Sequence, residues 1–208
     1  MLKNINWLGH STIRILGNKT IYIDPYNIKE NYNDADIIFI THNHYDHFSK
    51  YDIIKCKNKK TKIVVTEDLY QDAISLNFNS NDILTVLPNN NYRIENIDFS
   101  TIPAYNINTK FHPKENNWVG YIITINNQRL YIAGDTDITK ESKNVKCDIA
   151  FLPIGGTYTM NYKDASTLAN IINPKIVIPI HYGSIVGTTQ DALNFKANIN
   201  TNIECKIL

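Results

Sequence analysis

One short stretch decides how this sequence is interpreted: THNHYDH (Thr41–His47), which directly follows the apolar run DIIFI (Asp36–Ile40). The stretch carries three of the chain's six histidines and one carboxylate. The apolar run predicts a buried strand that ends at this stretch. Because side chains alternate along a strand, we expect His42 and His44 to point the same way. A bend after the strand would bring Asp46–His47 toward the same point.

These residue types in this order point to a bound metal ion. Neutral imidazole and carboxylate are the usual ligands of zinc and similar divalent cations. Any one of the histidines alone would fit a polar loop in which it hydrogen-bonds its neighbours, but the group together predicts a metal site. Two other metal motifs are excluded. The chain has no His-Glu-x-x-His run, and it has Asp46-His47 where His-Asp phosphohydrolases need the opposite order.

Length and composition predict one compact domain, residues 1–208, with a well-buried core. Hydrophobic residues make up 43% of the chain, and the net charge is +1. Lysines are scattered, so the sequence has no electrostatic footprint for nucleic acid or an anionic membrane. We therefore expect a small-molecule substrate and no nucleic-acid or membrane partner. A homo-oligomer is a further expectation.

Cysteines and targeting signals predict a cytoplasmic protein. Cys56, Cys147 and Cys205 are odd in number, far apart and outside any Cys-x-x-Cys pair. We interpret them as buried thiols in a reducing compartment. No apolar run approaches the ~18 residues that a membrane span needs. The first residues lead directly into strand-like sequence without the pattern of a signal peptide.

The spacing of apolar residues predicts strands first and alternating strands and helices later. Strands are expected at 4–7, 12–16, 20–24, 36–41, 62–66, 83–87, 92–104, 119–125, 128–133, 148–154, 175–180 and 203–207, with a hairpin turn at Asn126-Asn127. Helices are expected after Ser49, over 163–172 and over 189–198, and we assign Leu168, Ala169, Ile171 and Ile172 to the core. This order predicts an α/β fold of two mixed sheets packed face to face, with helices outside.

Further ligands should follow other strands, because distant segments converge at strand ends. The apolar segment LYIAGDTD presents Asp135, and IVIPIHYG presents His181. Taken alone, Asp135 fits an ordinary Gly-Asp turn. Taken alone, His181 fits a buried structural histidine.

The order of these pieces resembles the metallo-β-lactamase superfamily of metal-dependent hydrolases. The pieces are a Thr-His-x-His-x-Asp-His cluster, then Gly-Asp-Thr, then a strand-terminal histidine, and the resemblance runs nearly end to end. Four further stretches are most similar to the branch that contains ascorbate-phosphate lactonase: WLGHS (7–11), IDP (23–25), PIGG (153–156) and PIHYG (179–183).

The resemblance implies a four-layer αββα sandwich with two divalent metal ions at one edge of its sheets. Zinc is the favoured metal, with manganese or iron as alternatives. The residues that match the family's ligands are His42 and His44 for the first ion, Asp46, His47 and His181 for the second, and the bridging Asp135 for both. Asp24 matches an aspartate that braces the cluster loop through hydrogen bonds, although it also fits a plain Asp-Pro turn.

The sequence departs from the family at one ligand of the first ion. The family has a histidine after a strand that ends Pro-Ala-x-His, and this chain reads IPAYN, which puts Asn106 in that position. An amide oxygen is a weak zinc ligand and suits harder cations. Six residues later, His112 could fill the gap. We hypothesise that His112 is the replacement ligand, against the alternatives of a surface histidine or a substrate contact.

The implied chemistry is hydrolysis by metal-bound hydroxide. A water shared by two divalent cations has its pKa lowered from about 15.7 to near 7. The chain has no Gly-x-Ser-x-Gly elbow that would supply a protein nucleophile instead. The catalytic candidates are Asp46 and His10, with His10 near the site as an outer group or substrate contact. The candidates for binding substrate are Asn106, Lys114, Tyr158 and Tyr182; an exposed side chain without a role is the alternative for Lys114 and the two tyrosines.

We therefore expect a metal-dependent hydrolase of a small lactone, ester or phosphoester. The alternative is a non-catalytic or mononuclear metal- or ligand-binding protein of the same fold, which Asn106 favours. The bridging Asp135 argues against that alternative, because a one-metal protein has no need of it. A di-iron redox role ranks last, because the chain has no room for a flavin domain.

Overall fold

The computed structural model describes residues 2–208. Its contacts group into two compact units, of which the first ends at Val86 and the second spans Leu87–Leu208. Each unit contains its own β-sheet with parallel and antiparallel strands. The prediction of a single domain over 1–208 stays a prediction.

The first unit is built on a six-stranded sheet whose strands follow one another in chain order. The strands are β1 Ile5–Gly9, β2 Thr12–Ile15, β3 Ile21–Ile23, β4 Ala35–Phe39, β5 Lys57–Thr66 and β6 Ile83–Val86. Strands β1 to β3 are antiparallel, and β3 to β6 are parallel. The residues that follow β3 and β4 therefore lie at the same edge of this sheet, and they include Asp24 and the histidine-rich stretch.

Two helices connect the parallel strands of the first unit: α1 (Lys50–Cys56) and α2 (Tyr70–Ser75). Ser49 caps α1, as predicted, by accepting a hydrogen bond from the Asp52 amide. A hydrophobic cluster joins both helices to the sheet, and its members include Tyr22, Ile38, Ile40, Phe48, Ile53, Cys56, Ile63, Val65, Leu69 and Ala73. Burying one isoleucine-sized side chain stabilises a fold by about 1.5–3 kcal/mol. This cluster therefore fixes the strand ends that precede the histidines.

The second unit is built on a seven-stranded sheet with the order β13-β12-β11-β10-β9-β8-β7. The strands are β7 Asn91–Ile94, β8 Ile97–Pro103, β9 Val119–Ile125, β10 Gln128–Ile132, β11 Ile149–Pro153, β12 Ile176–Ile180 and β13 Glu204–Cys205. Strands β7 to β10 form an antiparallel meander, and β10 to β13 are parallel. Asp135 and His181 follow β10 and β12, so they lie at the same edge of this sheet.

Helices α3 (Tyr162–Ile172) and α4 (Thr189–Ala197) connect β11, β12 and β13. Asn161 caps α3, and Thr188 with Asp191 forms a capping box at the start of α4. Of the four core residues predicted in α3, Leu168, Ala169 and Ile172 are buried, whereas Ile171 is 45% exposed. The prediction for Ile171 is wrong because this position lies on the opposite side of an amphipathic helix.

The α/β prediction is confirmed: the protein has two mixed sheets with flanking helices. The hairpin across Asn126-Asn127 is confirmed as well, and both turn residues adopt the positive φ values that asparagine tolerates. The predicted strand over 92–104 is instead two strands, because Glu95-Asn96 makes a tight turn between β7 and β8. Helix α2 was not expected from the sequence. Within 2–208, no helix is long and apolar enough to span a bilayer.

Candidate metal-binding clusters

The histidine-rich stretch of the first unit is a turn and not part of β4. The strand ends at Phe39, and the backbone amides of His47 and Phe48 both donate to the carbonyl of His44, at 3.0 and 2.8 Å. Strand alternation is therefore the wrong reason for placing His42 beside His44. The turn brings them together instead, with His42 Nε2 at 3.1 Å from His44 Nδ1.

Asp24 braces this turn from the end of β3. Its Oδ1 accepts a hydrogen bond from the Thr41 amide at 2.8 Å. Its Oδ2 accepts from the Thr41 hydroxyl and from His47 Nδ1, both at 2.7 Å. The side chain is almost completely buried, and its backbone adopts a left-handed φ of 44°. A buried carboxylate with three donors is more than a turn residue, because burying a charge is costly unless it is fully hydrogen-bonded.

These bonds also set where the imidazole protons lie. The single proton of the Thr41 hydroxyl goes to Asp24, so its oxygen accepts from His42 Nδ1 at 3.0 Å. His47 Nδ1 donates to the Asp24 carboxylate, so both histidines present the lone pair of Nε2. A protein acceptor behind one ring nitrogen is the usual arrangement for a histidine that binds metal through the other.

His10 lies beside the carboxylate of Asp46 in the same unit. His10 Nε2 is 2.9 Å from Asp46 Oδ2, and that oxygen is 3.7 Å from His47 Nε2. His10 is buried, its carbonyl accepts from Trp7 Nε1 at 2.8 Å, and its φ is 50°. Left-handed backbone at a residue other than glycine is uncommon and concentrates at functional sites. The arrangement fits a group that orients Asp46.

The second unit contributes a cluster of candidate ligands around Asp135. Asp135 Oδ2 lies 3.1 Å from His181 Nε2 and 3.3 Å from His112 Nε2, and all three side chains are at most 3% exposed. Gly155 makes room for His181: a Cβ at this glycine would lie 2.7 Å from the His181 carbonyl oxygen and 2.9 Å from its Nδ1. Close packing thus explains the first glycine of the PIGG stretch.

Hydrogen bonds join Asn106 to His112 in the cluster around Asp135. Asn106 Oδ1 accepts from the His112 amide at 3.1 Å and from His112 Nδ1 at 2.9 Å. Asn106 Nδ2 donates to Asp137 Oδ1 at 3.2 Å and to the Tyr158 carbonyl at 3.0 Å. His112, proposed from the sequence to fill the gap in the ligand set, is thus beside Asp135. The amide of Asn106, proposed to contact substrate, is occupied by protein groups.

The other candidates for binding substrate differ in their surroundings. Lys114 is exposed, and its ammonium pairs with Glu141 Oε1 at 3.0 Å and lies 4.5 Å from the centre of the Tyr105 ring. Tyr158 is half-buried, with its ring edge against Phe111. Tyr182 is buried, and this burial raises the pKa of its phenol. Their roles in binding stay predictions.

The donor atoms of both clusters suit a divalent metal ion of the zinc type. The first offers imidazole nitrogens of His42, His44 and His47 with a carboxylate nearby, and the second offers two imidazoles and the carboxylate of Asp135. A nitrogen lone pair and a carboxylate oxygen repel at 3.3 Å unless a proton or cation lies between them. Buried histidine and carboxylate with fixed outer partners are the usual components of such sites.

Comparison with known proteins agrees with this chemistry. The profile of the family described as "Beta-lactamase superfamily domain" matches residues 4–181. The chain belongs to the β-lactamase superfamily. A UPF0173 metal-dependent hydrolase of Thermococcus onnurineus is 30% identical, over 98% of this chain and 95% of the relative. Another, from Saccharolobus solfataricus, is 32% identical over 88% of this chain and 86% of the relative.

Two solved structures of similar fold agree as well. A crystal structure from Parabacteroides distasonis, provisionally named a metal-dependent hydrolase, is 30% identical with a TM-score of 0.81. The match covers 98% of this chain and 91% of that one. A metallo hydrolase from Ignicoccus hospitalis shares the fold, at 20% identity and a TM-score of 0.78. The protein is therefore a metal-dependent hydrolase of the β-lactamase superfamily, as its sequence motifs predict.

Sequence reasoning missed two residues that support the clusters. The Thr41 hydroxyl connects Asp24 to His42, and the Asp137 carboxylate holds Asn106. Both lie within motifs that the sequence makes visible, since Thr41 precedes the first histidine and Asp137 is two residues after Asp135. A polar residue next to a candidate ligand at a strand end is the signal that would have found them.

Proposed function

We propose that this hydrolase binds two divalent metal ions, zinc in preference to manganese or iron, and cleaves a small uncharged lactone or ester. By the family pattern, both clusters supply ligands, and His112 takes the place of the histidine that Asn106 replaces. When bound, such ions act as Lewis acids and lower the pKa of water to about 7. The substrate is a small molecule and not a nucleic acid, in keeping with a net charge of +1.

One observation carries the proposal: Nδ1 of three candidate ligands faces an oxygen atom of the protein. His42 donates to Thr41, His47 to Asp24 and His112 to Asn106, at 3.0, 2.7 and 2.9 Å. Each imidazole therefore presents its Nε2 lone pair. Purely structural histidines have no need of the same orientation three times, whereas metal ligands do.

The protein's own groups would hold the charges of the reaction. Asp46 accepts from His10 and is held in one orientation, so this pair can hold a proton beside the His47 ring. Most side chains of both clusters are buried, which strengthens electrostatic interactions there. These roles favour hydrolysis over passive metal storage.

We propose that the substrate enters a cavity of about 260 Å³ beside Asn106 in the second unit. It is lined by Asn106, 107–109, 137–138, 156–160 and Asp164. Two of these residues, Asp137 and Asp164, are acidic, and among the lining residues in the described part of the chain none is lysine, arginine or histidine. Phosphate recognition normally uses cationic side chains or helix N-termini. The ammonium of Lys114, the lysine that the sequence suggests as a substrate contact, is paired with Glu141. We therefore favour a lactone or ester over a phosphoester.

The proposal is tested with zinc-loaded protein and substrates that differ in charge. Suitable probes are 4-nitrophenyl butyrate, 4-nitrophenyl hemisuccinate and 4-nitrophenyl phosphate, together with a γ-lactone followed by proton release. We expect kcat/KM for the neutral ester or the lactone to exceed that for both anionic probes by at least about tenfold, which is 1.4 kcal/mol of discrimination. The double variant His42→Ala/His44→Ala is the inactive control. Preference for the phosphate would contradict the proposal.

A second candidate function is a mononuclear or non-catalytic binding protein. The observation that favours it is Asn106, whose amide replaces a family ligand and is occupied by His112, Asp137 and Tyr158. A single ion per chain, together with no turnover of any neutral probe, would support this candidate over the first.

A further inference from the structure

We propose that Asn106 is a positioning residue, held by Asp137, that fixes the ring and the proton of His112 so that its Nε2 serves as a metal ligand. Compared with the family pattern, the candidate ligand lies six residues later in the chain. The residue at the family's ligand position, Asn106, supports it. The inference rests on the proposed function for its consequence, but its geometric part stands on hydrogen bonds within the second unit.

The orientation of the Asn106 amide follows from its neighbours. Nδ2 faces Asp137 Oδ1 at 3.2 Å and the Tyr158 carbonyl at 3.0 Å, and the carbonyl can only accept. The reversed amide would bring its oxygen against the Tyr158 carbonyl oxygen. Oδ1 must therefore face His112.

The proton of His112 follows from that orientation. Asn106 Oδ1 has no proton to give, so His112 Nδ1 donates to it across 2.9 Å. The Nε2 lone pair is then directed at the side where Asp135 Oδ2 lies, 3.3 Å away. A neutral imidazole with its proton on Nε2 could not bind a metal there, so Asn106 selects the tautomer that can.

The backbone amides of Asn106 and His112 also hold the two residues together. The Asn106 amide donates to the His112 carbonyl at 2.8 Å, and the His112 amide donates to Asn106 Oδ1 at 3.1 Å. Asp137 anchors the start of this loop, because its Oδ2 accepts from the Ile107 amide at 2.7 Å and its own amide donates to the Tyr105 carbonyl at 3.0 Å. Asp137 therefore holds both the side chain of Asn106 and the backbone beside it.

Contacts of neighbouring residues also hold this loop in place. Tyr105 donates its hydroxyl to Glu141 Oε2 at 2.9 Å, and Lys114 pairs with Glu141 Oε1 at 3.0 Å. Since these contacts hold the loop ends without Asn106, removing the Asn106 amide should release the His112 ring without unfolding the segment. The positioning role can therefore be tested separately from stability.

The experiment compares the wild type with Asn106→Leu, which loses the amide. Asn108→Ala, an exposed position that lines the same cavity, is the matched control. The first measurement is the His112 tautomer in metal-free protein, by ¹⁵N NMR of histidine-labelled samples assigned with His112→Ala. The second is zinc affinity, by chelator competition, for the ion that His112→Ala loses.

We expect His112 Nδ1 to carry a proton in the metal-free wild type and in Asn108→Ala. In Asn106→Leu the proton should move largely to Nε2, and zinc affinity should fall about 10–100-fold, the usual effect of removing an outer partner of a metal-binding histidine. Circular dichroism and thermal denaturation establish that each variant is folded. If Asn106→Leu does not fold, Asp137→Asn is measured instead, with a mixed tautomer as the expected result.

The inference is overturned if Asn106→Leu keeps both the Nδ1–H tautomer and wild-type zinc affinity. It is also overturned if His112 Nδ1 carries no proton in the wild type. Failure of the proposed function gives a different result. In that case the wild type binds no zinc that depends on His112, while the tautomer comparison in metal-free protein still decides whether Asn106 orients the ring.

Discussion

Asp24 Oδ2 lies 2.7 Å from His47 Nδ1, and both side chains are at most 1% exposed. The contact exists because β3 and β4 are adjacent and parallel, so the residues that follow them lie at one edge of the sheet. The same carboxylate accepts from the amide and hydroxyl of Thr41. One buried aspartate thus fixes the turn and the proton of a candidate ligand.

Replacing Asp24 should weaken metal binding more than it changes the fold. In Asp24→Asn, three donors face a single acceptor oxygen, so either Thr41 or His47 loses its partner. We expect zinc affinity to fall about 10–100-fold. The free energy of unfolding of metal-free protein should fall by about 1–3 kcal/mol, the cost of a buried donor without an acceptor. Chelator competition and denaturant titration measure the two effects. Unchanged zinc affinity would contradict the role assigned to Asp24.

The close packing of Gly155 on His181 predicts a steric effect on the second cluster. A Cβ at Gly155 would lie 2.6 Å from Val186 Cγ2 and 2.7 Å from the His181 carbonyl oxygen. Gly155→Ala should therefore destabilise the protein by about 1–3 kcal/mol, as overpacking does, and should reduce zinc binding.

Gly17→Ala is the matched control, because a Cβ there meets nothing closer than 3.8 Å. Its free energy of unfolding should stay within about 0.5 kcal/mol of the wild type. If Gly155→Ala is as stable as Gly17→Ala and binds zinc normally, His181 is not held by this contact.

The role of the His10 side chain can be tested without changing the strain of its backbone. Its left-handed φ of 50° is tolerated by asparagine better than by alanine. His10→Asn therefore removes the contact with Asp46 while keeping the backbone. We expect a fall of about 10–100-fold in kcat/KM or zinc affinity, with a midpoint of thermal denaturation close to that of the wild type. A variant with normal turnover and normal zinc affinity would show that Asp46 needs no orientation by His10.

The cysteines should be unreactive in the folded protein and unnecessary for metal binding. Burial raises the pKa of Cys56 and Cys147 to about 12 and that of Cys205 to about 11. At pH 8 about one Cys205 thiol in a thousand is ionised, and the thiolate is the reactive form. We expect slow reaction with 5,5′-dithiobis(2-nitrobenzoic acid) in native protein and three thiols after unfolding in guanidinium. The triple serine variant should keep its zinc, and loss of zinc would contradict a site built from histidine and carboxylate.

The sequence predicted the fold well where local chemistry is distinctive. Asparagine pairs at tight turns and Ser49 as a helix cap both identify their elements. It failed where local chemistry is weak: Glu95-Asn96 turns the chain with a residue that seldom adopts positive φ, and helix α2 is short. Strand β4 ends one residue before the apolar run does, although the Ile40 amide still donates to the Val64 carbonyl of β5 at 2.9 Å.

The candidate site was predictable in its residue types and not in its supports. His112 emerged from the sequence because a ligand was missing and another histidine was near. Asn106 was interpreted as a substrate contact, because no sequence pattern shows that a side chain folds back onto a residue six positions later. Only the hydrogen bonds to His112 and Asp137 reveal that arrangement.

The most direct test of the account is the metal content per chain of freshly purified protein, measured by elemental analysis for the wild type and His112→Ala. The account predicts two divalent ions per wild-type chain and one in His112→Ala. One ion or none in the wild type, or two ions retained in His112→Ala, would contradict it.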